Sequence, residues 1–186
     1  FKGNKELIEI IGQAIDDEYI KELTTISLSP EAISRHKDMK IVYTPIHGTG
    51  VKLVPAALKA YGFTNIIHVP EQDVVSGDFP TVISPNPEEP AALAMAVEKA
   101  KETDAELVMA SDPDADRVGA AVKNNEGEWV LLNGNQTALM FVYYLITRWK
   151  ELGKINGKEY IVKTIVTTET IKTIAERNGV EMYDVY

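Results

Sequence analysis

The stretch "ASDPDADRVG" at residues 110–119 sets Asp112, Asp114 and Asp116 at alternate positions and follows them at once with Arg117. Three carboxylates this close raise one another's pKa values unless a positive charge compensates them. In an extended chain the outer two would stand roughly 13 Å apart, at about 3.3 Å per residue. One hard cation needs its oxygens at about 2.0–2.6 Å, so a loop that serves a single ion has to curl. Pro113 favours a turn after Asp112, and the small Ala115 lets the backbone come close. Oxygen-only ligation selects Mg2+ or Ca2+. The EF-hand pattern fails at both of its diagnostic places, where Arg117 stands for glycine and Lys123 for glutamate. Three carboxylates leave an octahedral Mg2+ short of ligands, and water or phosphate ordinarily fills the gap. Arg117 then reads as a fixed cation offering a bidentate fork to a phosphate beside the metal. On spacing alone, a solvated acidic turn accounts for the same residues equally well.

Positioning such a loop requires a strand end. "ELVMAS" directly precedes the aspartates and reads as a strand. From residue 40 onward strand and helix patterns alternate. "KIVYTP" is a strand, residues 51–61 a helix stopped by Gly62, "NIIHVP" a strand, and "EPAALAMAVEKAKETDA" an alanine-rich helix. "VGAAVKN" and "EWVLLN" form a hairpin through "NEG". The long helix from about Asn133, "YIVKTIV", "TETIKTIAERNG" and "VEMYDVY" repeat the alternation. The pattern predicts an α/β fold of three-layer αβα units, with mostly parallel sheet and an antiparallel edge hairpin in the first unit. Ligands of such sheets sit beyond the carboxyl ends of the strands, where the aspartates fall. Upstream, residues 5–23 place Leu7, Ile8, Ile11, Ile15, Tyr19 and Leu23 at helical spacing. Residues 71–90 hold four prolines and read as a long loop, the kind of segment that is functional or disordered. A boundary near Leu132 divides the chain into 1–132 and 133–186, and the second unit is too short to close its own core easily.

The chain has 186 residues and a formal net charge of −9, which argues against nucleic acid as the main partner. It has no cysteine, which excludes disulfides and thiolate chemistry and suits a cytoplasmic setting. The longest apolar run, "TALMFVYYLI", is about half of the roughly 20 residues a membrane span needs, so no membrane partner is expected. It opens on Phe1 and stops on a strand-like run, the expectation being a piece of a longer protein. His47, in "IHGTG" at the end of the first strand, precedes a helix whose N-terminus could attract an anion; it is either a contributor to a phosphoryl site or a turn histidine. Ser111 is a local hydrogen-bonder, Asn133 or Asn135 a helix cap, and Lys163 a strand-face lysine. Trp129 and Trp149 have no role that spacing assigns.

"SDPDADR" at a strand end resembles the metal loop of the α-D-phosphohexomutases, the phosphoglucomutase/phosphomannomutase family, usually written D-G-D-G-D-R. Pro113 and Ala115 replace its two glycines, as in the branch with bacterial phosphoglucomutases and phosphopentomutases. "TPIHGTG" (44–50), "GDFPTVISPNPEEP" (77–90) and "LLNGNQTALM" (131–140) fit the same branch. The resemblance implies one Mg2+ held by Asp112, Asp114 and Asp116 in a loop at 111–117, with Arg117 contacting the phosphoryl group. It implies a four-domain mutase that moves a phosphoryl group between the 1- and 6- (or 5-) hydroxyls of a sugar phosphate. The route runs through an enzyme phosphoserine and a bisphosphate, with a glucose 1,6-bisphosphate-type activator. This chain would supply the second domain and the start of the third. The serine motif T-x-S-H-N-P is absent, so domains I and IV and the rest of domain III would come from elsewhere in the same chain, and the 186 residues alone are expected to be inactive. Ser84 in "SPNP" lacks the motif's histidine and is read as a turn residue. Lys163 falls where relatives can carry a basic cleft residue. The choice of sugar lies outside these residues. Two rivals are a non-catalytic divalent-cation domain, which has no need of Arg117, and a metal-dependent nucleotide-sugar transferase, which needs a glycine fingerprint that "TPIHGTG" lacks.

Overall fold

The computed structural model describes residues 3–186. A 3-10 turn at Lys5–Leu7 precedes helix α1 (Gln13–Thr25) and the short α2 (Pro30–Arg35). Strand β1 (Lys40–Thr44), α3 (Gly50–Tyr61), β2 (Asn65–His68), the single turn α4 (Pro70–Asp73), α5 (Pro90–Thr103) and β3 (Leu107–Ser111) come next. Strands β4 (Val118–Lys123) and β5 (Trp129–Leu132) form the hairpin, and α6 (Gly134–Glu151), β6 (Tyr160–Thr164), α7 (Thr170–Arg177) and β7 (Glu181–Val185) end the chain.

The first sheet has the order β2-β1-β3-β4-β5. Strand β1 pairs in parallel with both β2 and β3, and β4 is antiparallel to both neighbours, so four of the five strands run the same way. The antiparallel hairpin is at one edge, as the sequence predicts. Strand β1 is buried on both faces from Ile41 to Thr44, the signature of a parallel strand covered by helices on either side. On one face Val42, Val108 and Ala121 meet Leu93, Ala96 and Ala100 of α5, whose small residues let the helix lie close to the sheet. On the other, the Tyr43 hydroxyl lies 2.8 Å from Ser111 Oγ. Burial pushes the Tyr43 phenol up to about 12, against a smaller opposing effect of the Ser111 hydrogen bond. Residues 160–185 form a separate two-stranded parallel sheet, and Ile146, Ala175 and Val180 are the centre of a small second cluster.

Two expectations change. The helical periodicity at 5–23 produces a helix only from Gln13. Gly12 stands at its start with φ −30° and ψ −152°, and Leu7, Ile8, Ile10 and Ile11 remain exposed. An apolar stripe stabilises a helix only when it is packed against something. In the long loop, residues 70–73 form one helical turn before the irregular path from 74 to 89. No helix among the described residues is long and apolar enough to cross a membrane.

Candidate metal centre

Strand β3 is the central strand, and the loop begins where it ends. Asp112 is buried, with a side chain only 2% exposed, and it organises the turn that leads to Arg117. Its carbonyl accepts from the Ala115 N–H at 3.0 Å, closing the turn around Pro113. Its Oδ1 accepts from the Arg117 backbone N–H at 3.0 Å, and its Oδ2 from Arg117 Nε at 2.8 Å. Ala115 takes φ +63°, the left-handed region where the family pattern writes glycine. The loop curls as one shared ion requires. Each of the three aspartates offers a carboxylate oxygen, and these atoms lie within 4.8 Å of one another. Two ligands of one ion can be at most twice the metal–oxygen distance apart, about 4.2 Å for Mg2+ and up to about 5 Å for Ca2+. The spacing lies within the Ca2+ limit as it stands, and Mg2+ would need the exposed Asp114 and Asp116 side chains to draw in by a few tenths of an ångström.

In the bare loop the charge is shared among Arg117 and the aspartates themselves. Burial alone would push the Asp112 carboxyl up. The backbone and guanidinium hydrogen bonds from Arg117 and the hydrogen bond with Asp116 outweigh it, and hold Asp112 below the usual carboxylate range. Asp116 is pushed up, first by its hydrogen bond with Asp112 and then by the negative charges of Asp114 and Asp112. The Asp112 hydrogen bond pushes the Arg117 guanidinium up, with the Asp112 charge adding to it. Arg117 is thus oriented through Nε, yet its side chain is 59% exposed. Neither terminal guanidinium nitrogen donates to a protein acceptor among the described residues. A cavity of about 270 Å³ lies against it, lined by Glu88, Val118, Gly134, Thr137 and Phe141. A second of about 480 Å³ reaches the loop at Asp114 and Ala115, from between α1 and α3.

Two glycines let neighbouring backbone press against the loop. A Cβ on Gly48 would stand 2.4 Å from Pro113 Cα, and one on Gly119 would stand 2.1 Å from the Pro87 carbonyl oxygen. Thr49 adds hydrogen bonds to the Pro113 carbonyl from its backbone N–H at 2.8 Å and from its hydroxyl at 3.1 Å. Gly48→Ala and Gly119→Ala are each expected to cost about 1–3 kcal/mol, because the obstruction is backbone and cannot swing away. Gly77→Ala, with nothing within 4 Å of its added carbon, serves as the control and should be neutral or slightly stabilising. Urea denaturation of the three variants checks this; equal midpoints would mean that the close approaches carry no constraint.

His47 is 1% exposed, and both its ring nitrogens are engaged. Nδ1 is 2.8 Å from the Val74 carbonyl and Nε2 is 2.8 Å from Thr81 Oγ1. This geometry leaves no free nitrogen for a phosphoryl oxygen and makes His47 an anchor for the long loop. Lys163 is also withdrawn, its side chain 3% exposed and its Nζ held by Glu169 at 2.7 Å and Asp184 at 2.5 Å. Ser84 donates to Glu89 at 2.9 Å. Asn133 is the α6 cap, in a reciprocal capping box with Gln136, while Asn135 accepts from the Thr168 N–H. Trp129 lies under Lys123, whose Nζ is 5.6 Å from the ring centroid. Sequence reasoning missed Gln72, which lies in no motif, and gave no role to Thr44 and Thr81, which lie inside "TPIHGTG" and "GDFPTVISPNPEEP". It also missed Ile46 and His47 as consecutive left-handed residues at φ +46° and +64°, a conformation that costs on the order of 1–3 kcal/mol per residue and persists only where the surroundings enforce it.

Fold and loop together define an α/β/α domain that carries an acidic, arginine-terminated loop beyond its central strand. The model of a domain family described as phosphoglucomutase/phosphomannomutase, alpha/beta/alpha domain II, matches residues 17–127. The chain belongs to the phosphoglucomutase/phosphomannomutase family. It is 40% identical over 144 residues to a probable phosphoribomutase of Schizosaccharomyces pombe, covering 77% of this chain and 24% of the relative. It is 33% identical over 187 residues to a phosphoglucomutase of Staphylococcus haemolyticus, covering 98% and 32%. A solved phosphoglucomutase/phosphomannomutase family protein from Burkholderia thailandensis shares the fold with a TM-score of 0.69 at 22% identity, covering 91% of this chain and 32% of that one. The chain thus spans about a quarter to a third of the length of these curated relatives.

Proposed function

We propose that this chain supplies the cation loop of a phosphosugar mutase, with residues 1–132 as its second domain and 133–186 as the start of its third. The observation that carries the reading is the convergence of Asp112, Asp114 and Asp116 on one point, with Arg117 locked to Asp112 beside it. Asp112, Asp114 and Asp116 would hold Mg2+, which when bound draws charge from phosphoryl oxygens as a Lewis acid. Arg117 uses Nε on Asp112 for its own orientation and keeps its two terminal nitrogens for the phosphoryl group, an arrangement that needs no reorganisation during transfer. The cavity beside Arg117 is where the sugar phosphate would approach. The phosphoserine donor, the remaining domains and a glucose 1,6-bisphosphate-type activator complete the reaction. Relatives acting on glucose and ribose phosphates leave the sugar open.

The test is a coupled assay that converts glucose 1-phosphate or ribose 1-phosphate to its isomer and reads the product enzymatically. A longer gene product joining this chain to a serine-bearing domain should turn over with Mg2+ and stop with a chelator. The 186 residues alone should read background. Turnover by the 186-residue chain itself would overturn the assignment of roles.

A further inference from the structure

From the core beneath the long loop out to its surface runs a line of polar groups whose hydrogen-bond directions are fixed at both ends. The Ile46 backbone N–H, which can only donate, meets Thr44 Oγ1 at 3.1 Å. The Thr44 hydroxyl donates to Gln72 Oε1 at 2.7 Å, and Gln72 Nε2 donates to Thr81 Oγ1 at 3.2 Å. At the other end the Val74 carbonyl can only accept, so His47 Nδ1 carries the proton. His47 Nε2 is then the acceptor for the Thr81 hydroxyl. Thr44 and Gln72 are fully buried and His47 is 1% exposed, so the Ile46–Thr44 and Thr44–Gln72 bonds are made where water does not compete, while the bonds that reach the exposed Thr81 and Val74 are only partly shielded.

The same histidine reaches two loops at once. Its ring binds residues 74 and 81, its backbone N–H donates to the Gln72 carbonyl at 2.8 Å, and its carbonyl accepts from the Ser76 N–H at 3.1 Å. The next two residues, Gly48 and Thr49, are those pressed against Pro113 of the cation loop. Further along the tethered segment, Pro87 lies against Gly119, two residues past Arg117. Releasing the ring frees a turn held in the left-handed region and the segment that braces β4, so both sides of the cation loop lose support.

We infer that His47, with Gln72 and Thr81, is a positioning residue that couples the 74–89 segment to the geometry of the Asp112–Arg117 loop. This rests on the reading of residues 112–117 as a cation loop. It assigns the "HGTG" histidine a role without contact to any substrate, and makes the long proline-rich segment a brace.

The test uses the 186-residue chain and three readouts. Long-range 1H–15N spectra of the imidazole should show His47 as the Nδ1–H tautomer. Thr81→Val, nearly isosteric, should raise amide hydrogen exchange several-fold across residues 74–83 while leaving β3 amides unchanged. It should also weaken Mn2+ binding, followed by water-proton relaxation, by about 10-fold, the low end of what loss of an orienting partner costs. Thr81→Ser, which restores the hydroxyl, should return both exchange and affinity to within a few-fold of wild type. The inference is overturned by an Nε2–H tautomer, by wild-type exchange in Thr81→Val, by a loosened segment with undiminished Mn2+ affinity, or by failure of serine to rescue. Absence of Mn2+ binding to the wild-type chain would sink the cation-loop reading, while tautomer and exchange would still decide whether the segment hangs on His47.

Discussion

Arg117→Ala is expected to lower kcat on the order of 10²-fold in a mutase that contains this chain, and Arg117→Lys on the order of 10-fold, by analogy with the loss of one preorganised charged donor. Three aspartates and a divalent cation sum to −1, so an incoming phosphoryl group meets a site that is still negative. A guanidinium fixed beside the cation offsets that charge. Lysine keeps the charge, but it cannot meet Asp112 with one nitrogen and present two more in a plane. The structure adds a complication, because Arg117 also compensates a buried carboxylate. Alanine would leave Asp112 with the residue 117 backbone N–H and the hydrogen bond with Asp116, and with no cation beside it. The metal-free variant should therefore melt below wild type, and Mg2+ should raise its melting temperature more than it raises that of wild type, since the cation replaces the lost charge. Steady-state kinetics at saturating Mg2+, run beside melts with and without the metal, separate the two roles. Full kcat in Arg117→Ala, or a deficit that vanishes whenever the variant is folded, would reduce Arg117 to an ion-pair residue.

The parts of this fold that repeat regular physics were legible in advance. Alternating strand and helix periods gave the parallel sheet, "NEG" gave the hairpin, and an aspartate triplet after an apolar run gave the loop at a strand end. What was hidden is the chemistry of irregular backbone. Ala115 gives no sign that it adopts φ +63°, since alanine is at home in any helix. Gln72 carries no motif, yet it is fully buried and bonded through both ends of its amide. His47 in a glycine-rich turn invites an anion-binding reading, because the sequence shows its neighbours along the chain and not the carbonyl and hydroxyl that occupy its ring. The helix at 5–12 failed for a related reason: periodicity records which face is apolar, and says nothing of whether a surface is there to receive it. The same limit applies to Arg117, whose attachment to Asp112 depends on a turn that brings residues five apart into contact.

Asp114→Asn is expected to weaken Mn2+ binding by about 10-fold or more, at least the effect of losing a group that merely orients a ligand. Asp114 is the informative aspartate to change. Asp112 is buried and ties the loop together through Arg117, so its substitution would damage the fold and the site at once. Asp114 is exposed, and its charge enters the loop chiefly by repelling Asp116. If its role is ligation, removing that charge has opposite consequences with and without metal. In the metal-free chain, like-charge repulsion is relieved, so the melting temperature should hold or rise. With excess Mg2+, wild type gains binding free energy that the variant has largely lost, so the variant should melt lower. A structural carboxylate that merely caps a turn would destabilise the protein in both conditions, and an idle one in neither. Water-proton relaxation with Mn2+ gives the affinity, and paired melts in chelator and in Mg2+ give the sign. Mn2+ affinity equal to wild type, or a melting shift of the same sign in both conditions, would remove Asp114 from the ligand set and leave two carboxylates, too few to distinguish this loop from an ordinary acidic turn.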